Sequence, residues 1–124
     1  MTTQSPEEVV DALFDAFEAR DFERVRSFLS DDAFSYLSPI ESFSNADDYI
    51  ANISRVGPIL ERIERCKTFV SGNDVCSILK IHTTMDMLNA MPVAELITVV
   101  DGKITSMQAI FDATEYNKMI VPPA

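Results

Sequence analysis

Residues 93–116, VAELITVVDGKITSMQAIFDATEY, constrain the fold more than any other stretch of the chain. They read as two strands joined by a tight Asp101-Gly102 turn, the second closing on Phe111-Asp112. On the first arm, Val93, Glu95, Ile97 and Val99 alternate with Ala94, Leu96, Thr98 and Val100, which is strand periodicity. Asp-Gly between two such arms is a strong hairpin signal, because a type I′ turn needs φ > 0 at both central residues. A lone hairpin is at best marginally stable in water. The rest of the chain must supply the elements that cover it.

Those elements can be read in order. Ser5-Pro6-Glu7-Glu8 opens a helix with a capping serine, proline at the first helical position and two acids in the first turn. Val9, Val10, Leu13, Phe14 and Phe17 form its apolar face. A second short helix follows a break and a cap near Asp21, burying Phe22, Val25, Phe28 and Leu29. Residues 33–37 alternate as a short strand before Pro39, and residues 38–46 read as loop. Residues 47–56 form a third helix, stopped by Gly57-Pro58. Residues 64–70 and 75–85 are strands around a Ser71-Gly72-Asn73-Asp74 turn, with residues 86–91 as a longer turn. Pro122-Pro123 makes the tail a non-strand, frayed end. Helices first and strands later give an α+β fold: a cone-shaped, curved antiparallel sheet with three helices from the N-terminal half. The chain has 124 residues, enough for a single domain over 1–124 that buries roughly 65–70% of its unfolded surface.

Charge excludes some partners. Twenty acids against 10 bases leave a net charge of −10, which argues against nucleic acid and against anionic membranes, since both need a basic surface. No apolar run reaches the ~18 residues of a membrane span, and MTTQSPEEVV lacks the basic and apolar regions of a signal peptide, so a cytoplasmic protein is expected. If the second hairpin turns at residues 71–74, Cys76 faces Phe69 and Cys66 lies about three residues further along, beyond disulfide reach at ~3.3 Å per residue. The two cysteines are expected as free, buried thiols. No metal-ligand cluster, phosphate loop or nucleophile elbow is present, and no cofactor is expected.

The helix-break-helix ending in Asp31-Asp32-Ala33 and the late GKITSMQAIFD together resemble the nuclear transport factor 2-like superfamily, in its SnoaL-like and ketosteroid isomerase-like branch. The resemblance spans residues 6–116 and implies a cone-shaped α+β roll, a fold that hosts many activities and also proteins with none. The isomerase's own machinery does not carry over. Its first-helix tyrosine falls on Leu13, its general-base aspartate on Ser38 ahead of Pro39, and its protonated aspartate on Ala94. None of these residues can take over the isomerase role.

The resemblance does imply which side chains face a pocket: Leu13, Phe17, Phe34, Tyr36, Ile53, Leu79, Ile81, Thr83, Met107, Ala109 and Phe111. This lining suits a small apolar or aromatic molecule. The alternative is that the same side chains meet and fill the cone as ordinary core. SnoaL-like cyclases carry an acid for proton transfer where this chain has Asp112, and desolvation at the rim of an apolar cone would raise its pKa. An Asp at a strand end also caps turns. Tyr36 is the candidate oxyanion donor, or a tyrosine bonded to backbone.

His82, the lone histidine, falls with Lys80 and Thr84 on the outer face. A symmetric 86–91 turn sets it across from Glu95, as a structural or interface pair, and a one-residue slip would turn both into the cone. The outer face would also hold Ile78, Ile97 and Val99, an apolar strip calling for a partner, so a homodimer through that face is expected. The sequence thus leads to a SnoaL-like small-molecule protein, isomerising, cyclising or hydrating an apolar or aromatic ligand with Asp112 and Tyr36. Its rival is a non-catalytic dimeric interaction module with a filled cone.

Overall fold

The computed structural model describes residues 4–120; the Pro122-Pro123 tail lies outside them. Helix α1 (Pro6–Glu18) starts where the sequence places it, in a full capping box. The Ser5 hydroxyl accepts from the Glu8 amide at 3.2 Å, and the Glu8 carboxylate accepts from the Ser5 amide at 2.9 Å. Such reciprocal capping satisfies two amide donors that the first helical turn leaves open. Asp21 caps α2 (Phe22–Ser27) by accepting from the Arg24 amide at 3.1 Å. Asn45 caps α3 (Ala46–Val56) in the same way, accepting from Asp48 at 2.9 Å. A single 3₁₀ turn, Gly57–Ile59, ends α3 at the expected glycine and proline.

Six strands follow the order β2-β1-β6-β5-β4-β3 in one sheet: β1 (Ser35–Leu37), β2 (Ser42–Phe43), β3 (Leu60–Ser71), β4 (Asp74–Thr83), β5 (Met91–Val100) and β6 (Lys103–Ile110). The sheet is open and mixed, because short β1 runs parallel to β6 while every other pair is antiparallel. Strand β2 lies inside the segment expected to be loop. A fourth helix, α4 (Thr114–Ile120), follows the last strand, although the sequence reading stopped at three. Both turns form as expected: Asp101 and Gly102 have φ of 51° and 78°, and Gly72 has φ of 59°. Register shifts put an extra residue into β3 twice, at Glu61 and Cys66, and into β6 once, at Thr105. Such bulges bend a strand and add twist, and they curve the sheet around α1.

Arg65 ties that helix to β3. Its guanidinium lies 2.6 Å from Asp15 and 3.3 Å from Glu18, and stacks over the Phe14 ring. The lower core is filled by Leu13, Phe14, Leu29, Leu79, Ile97, Ile104 and Met107, all essentially inaccessible. Each such side chain contributes ~1.5–3 kcal/mol of burial.

The register of β5 departs from expectation. The 86–91 connection is not a symmetric turn: Asp86–Leu88 coil into a 3₁₀ helix, and β5 begins at Met91 opposite Ile81. Glu95 consequently pairs with Ser77 rather than His82. The displacement is odd, so β5 is turned over relative to expectation. Ile97 and Val99 are core residues, not outer-face ones, and Glu95 faces inward. His82 does lie outside, in register with Arg62 and 2.9 Å from the Glu64 carboxylate. The cysteines are free, with Cys76 opposite Phe69 as deduced, but Cys66 is exposed and Cys76 only half-buried.

Candidate functional site

Above the filled core, the curved sheet, α1 and α3 leave a cavity of about 600 Å³, within the range of small-molecule sites. Its wall is mostly apolar, with Phe14, Phe17, Phe22, Ile53, Ile63, Ile81, Val93 and Phe111 among its residues. The polar exceptions include Tyr36, Tyr49, Thr83, Glu95 and Tyr116, with Glu41, Asn52 and Arg55 in one cluster. Those last three also line a neighbouring hollow of about 420 Å³. They are linked: Arg55 donates to the Asn52 side-chain Oδ1 at 2.7 Å, and the Asn52 Nδ2 donates to the Glu41 carboxylate at 2.9 Å.

Of the side chains expected to line a pocket, Phe17, Tyr36, Ile53, Ile81, Thr83, Ala109 and Phe111 do so. Leu13, Phe34, Leu79 and Met107 do not. They lie one layer deeper, 0–3% exposed, where the cone narrows into core. Asp112 is placed differently from the desolvated acid that was expected. It is exposed and absent from the cavity wall, and its carboxylate accepts from the Thr114 hydroxyl at 2.6 Å and amide at 3.0 Å. This turn leads into α4. The Thr114 hydroxyl, then its amide, hold the Asp112 pKa below the usual carboxylate range.

The acid inside the cavity is Glu95. It projects from the middle of β5, between Ser77 of β4 and Ala109 of β6. Part of its surface opens to the cavity, but protein encloses it, and burial alone raises its pKa from 4.5 to about 7. No side-chain hydrogen bond satisfies its carboxyl group among the described residues, which explains why nothing opposes the desolvation.

Two phenols share the space. Tyr36 on β1 and Tyr49 on α3 stack with ring centroids 4.7 Å apart, wedged by Phe34 and Phe43 at 5.4–6.0 Å. Aromatic packing of this kind fixes ring position. Burial first and the Glu95 charge second push both phenol pKa values upward, so both remain hydrogen-bond donors across the neutral range. Tyr116 packs on Phe111 at 5.4 Å and completes the aromatic wall from α4. A carboxyl group near pH 7 can take or give a proton, and fixed phenols can stabilise charge on a ligand oxygen. Enolisation is one reaction that can use that pairing.

The sequence reading puts Glu95 in the cone only through a register slip and does not count Glu95 or Tyr49 among the site residues. The signal for Glu95 was present, as a single carboxylate among Val93, Ile97 and Val99 on one strand face. For Tyr49 the helical spacing placed it in an apolar stripe, and nothing in the sequence aimed it at β5. Among the described residues, no cluster of histidines, cysteines and acids is arranged to hold a metal, and no helix is long and apolar enough to cross a membrane.

Residues 10–107 match the family model of the SnoaL-like domain. No curated protein matches the sequence. Solved structures do match in fold. An NTF2-like protein of unknown function from Cytophaga hutchinsonii superposes with a TM-score of 0.79 at 22% identity, covering 94% of this chain and 98% of that one. An LEH-like epoxide hydrolase from M. tuberculosis gives 0.77 at 20% identity, covering 91% and 86%. TerC, crystallised with polyporic acid, gives 0.77 at 19% identity, covering 94% and 98%. These likenesses establish the NTF2-like fold.

Proposed function

The chain belongs to the SnoaL-like domain family, matched over residues 10–107, and on that footing we propose that it is a small-molecule enzyme of proton transfer. The ligand is apolar or aromatic and carries an oxygen function, and it is isomerised, cyclised or hydrated in the cavity. Glu95 is the acid/base, with Tyr36 and Tyr49 as phenol donors to the ligand oxygen. One observation carries this reading: a half-buried carboxyl group that opens into a cavity of about 600 Å³, has no side-chain hydrogen bond among the described residues, and has its pKa raised to about 7 by desolvation. A raised carboxyl pKa in an apolar cleft is a recurrent mark of acid–base sites. TerC, a solved structure of the same fold, was co-crystallised with a small organic acid, polyporic acid, which is compatible with a small-molecule ligand here. Asp112, solvated and bonded to Thr114, takes no part.

The protein acts as a cytoplasmic homodimer in this reading. Phe69, Ile78, Leu96 and Ile110 are 54%, 36%, 39% and 56% exposed, and they cluster on the outer sheet face across β3, β4, β5 and β6. An apolar strip on an open sheet favours an isologous partner.

The experiment is native mass spectrometry of protein purified from its own organism, comparing wild type with Ala109→Trp, which fills the cavity from β6. A retained mass of a few hundred daltons in wild type, lost in the folded variant, supports the reading. A mass retained equally by both places the ligand elsewhere and overturns it.

A further inference from the structure

Directly across the sheet from Glu95 stands Ser77. It faces the same side, is 1% exposed, and its hydroxyl is a buried polar side-chain group without a hydrogen-bond partner among the described residues. Directly opposed residues of an antiparallel pair hold their Cβ atoms about 4.5–5.5 Å apart, so a serine hydroxyl reaches a facing carboxylate by rotating about χ1. Leaving a buried hydroxyl without a partner is costly, and alanine at this position would carry no such cost. On the other flank Glu95 is in register with Ala109, whose side chain has no donor to offer.

We infer that Ser77 is a positioning residue for Glu95: its hydroxyl turns to donate to the carboxylate when Glu95 gives up its proton, and is released when the proton returns. The inference rests on Glu95 being the acid/base of the cavity. It assigns Ser77 the regulation of that group, holding the ionised form in one orientation and limiting how far burial disfavours it. The other titratable or charged groups around the cavity are Tyr36 from β1, Tyr49 from α3, Tyr116 from α4, and the linked Glu41 and Arg55. Tyr36 and Tyr49 stay protonated through the range in which Glu95 ionises, so they add constant donors. Ser77 is the neighbour whose bonding changes with the Glu95 proton.

The test is carboxyl ¹³C NMR on glutamate-labelled protein, following the Glu95 midpoint in wild type, Ser77→Ala and Ser77→Thr. Charge-assisted hydrogen bonds are worth enough to move a carboxyl midpoint by about one unit. Ser77→Ala is therefore expected to raise the Glu95 midpoint by about one unit, and Ser77→Thr, which keeps the hydroxyl, to restore it. A purely structural serine would not move the midpoint. If the wild-type midpoint is raised but Ser77→Ala leaves it unchanged, the role of Ser77 is overturned alone. If the wild-type midpoint lies near 4.5, the reading of Glu95 falls as well.

Discussion

Replacing Glu95 by glutamine should stabilise the protein, and by an amount that depends on pH. Burial lifts the Glu95 pKa from 4.5 to about 7 in the folded state. Below 4.5 both the folded and unfolded chains hold the proton, and the group is neutral in each. Between 4.5 and about 7 the folded chain keeps a proton that the unfolded chain has lost, so stability falls as pH rises. Above that window the folded state carries a desolvated carboxylate. The difference of two to three units corresponds to about 3 kcal/mol at ~1.4 kcal/mol per unit. The neutral amide of Glu95→Gln carries no such cost. Urea titrations at pH 4.5 and pH 8 read the difference. The variant should gain on the order of 1–2 M in midpoint at pH 8 relative to its gain at pH 4.5, for a urea slope typical of small domains. A gain of the same size at both pH values would refute the reasoning, because a pH-independent effect is packing and not desolvation.

Three further outcomes follow from the same geometry. Gly57 packs against the Phe22 ring so closely that an added Cβ would overlap it. Gly57→Ala should push that ring into the cavity, costing about 1–3 kcal/mol as overpacking and weakening ligand retention in native mass spectrometry. Leu96→Arg, at the centre of the outer sheet strip, should convert a dimer to a monomer in sedimentation velocity while leaving the circular dichroism spectrum unchanged. Asp112→Asn should leave turnover unaltered once a substrate is in hand, whereas loss of turnover would return Asp112 to the mechanism.

Local chemistry was legible in the sequence, and long-range register was not. The Ser5 capping box, the Asp21 cap, the Asp101-Gly102 turn and the pairing of Cys76 with Phe69 all rest on neighbours in the chain, and all formed. The facing of β5 depended on residues 86–91, whose composition does not distinguish a symmetric turn from the 3₁₀ helix that forms. One odd displacement there exchanged the two faces of β5, and with them the roles of Glu95, Ile97 and Val99. The cavity floor was misplaced for a different reason. Alternation tells which side of a strand a residue faces, but not how deep in the cone it lies. Leu79 and Ile81 share a face, and only Ile81 reaches the opening. Helix α4 is one of the shortest helices, and with seven residues it lacks the length to show a period.

The most direct measurement is proton exchange at carbon, followed by NMR in D₂O with a panel of aromatic ketones. Wild type is expected to accelerate deuterium incorporation next to the carbonyl, with the rate rising through a midpoint near pH 7. Glu95→Gln is expected to lose roughly 10²-fold or more of that rate. Wild-type exchange that persists undiminished in Glu95→Gln would contradict the assignment of Glu95 as the acid/base of this cavity.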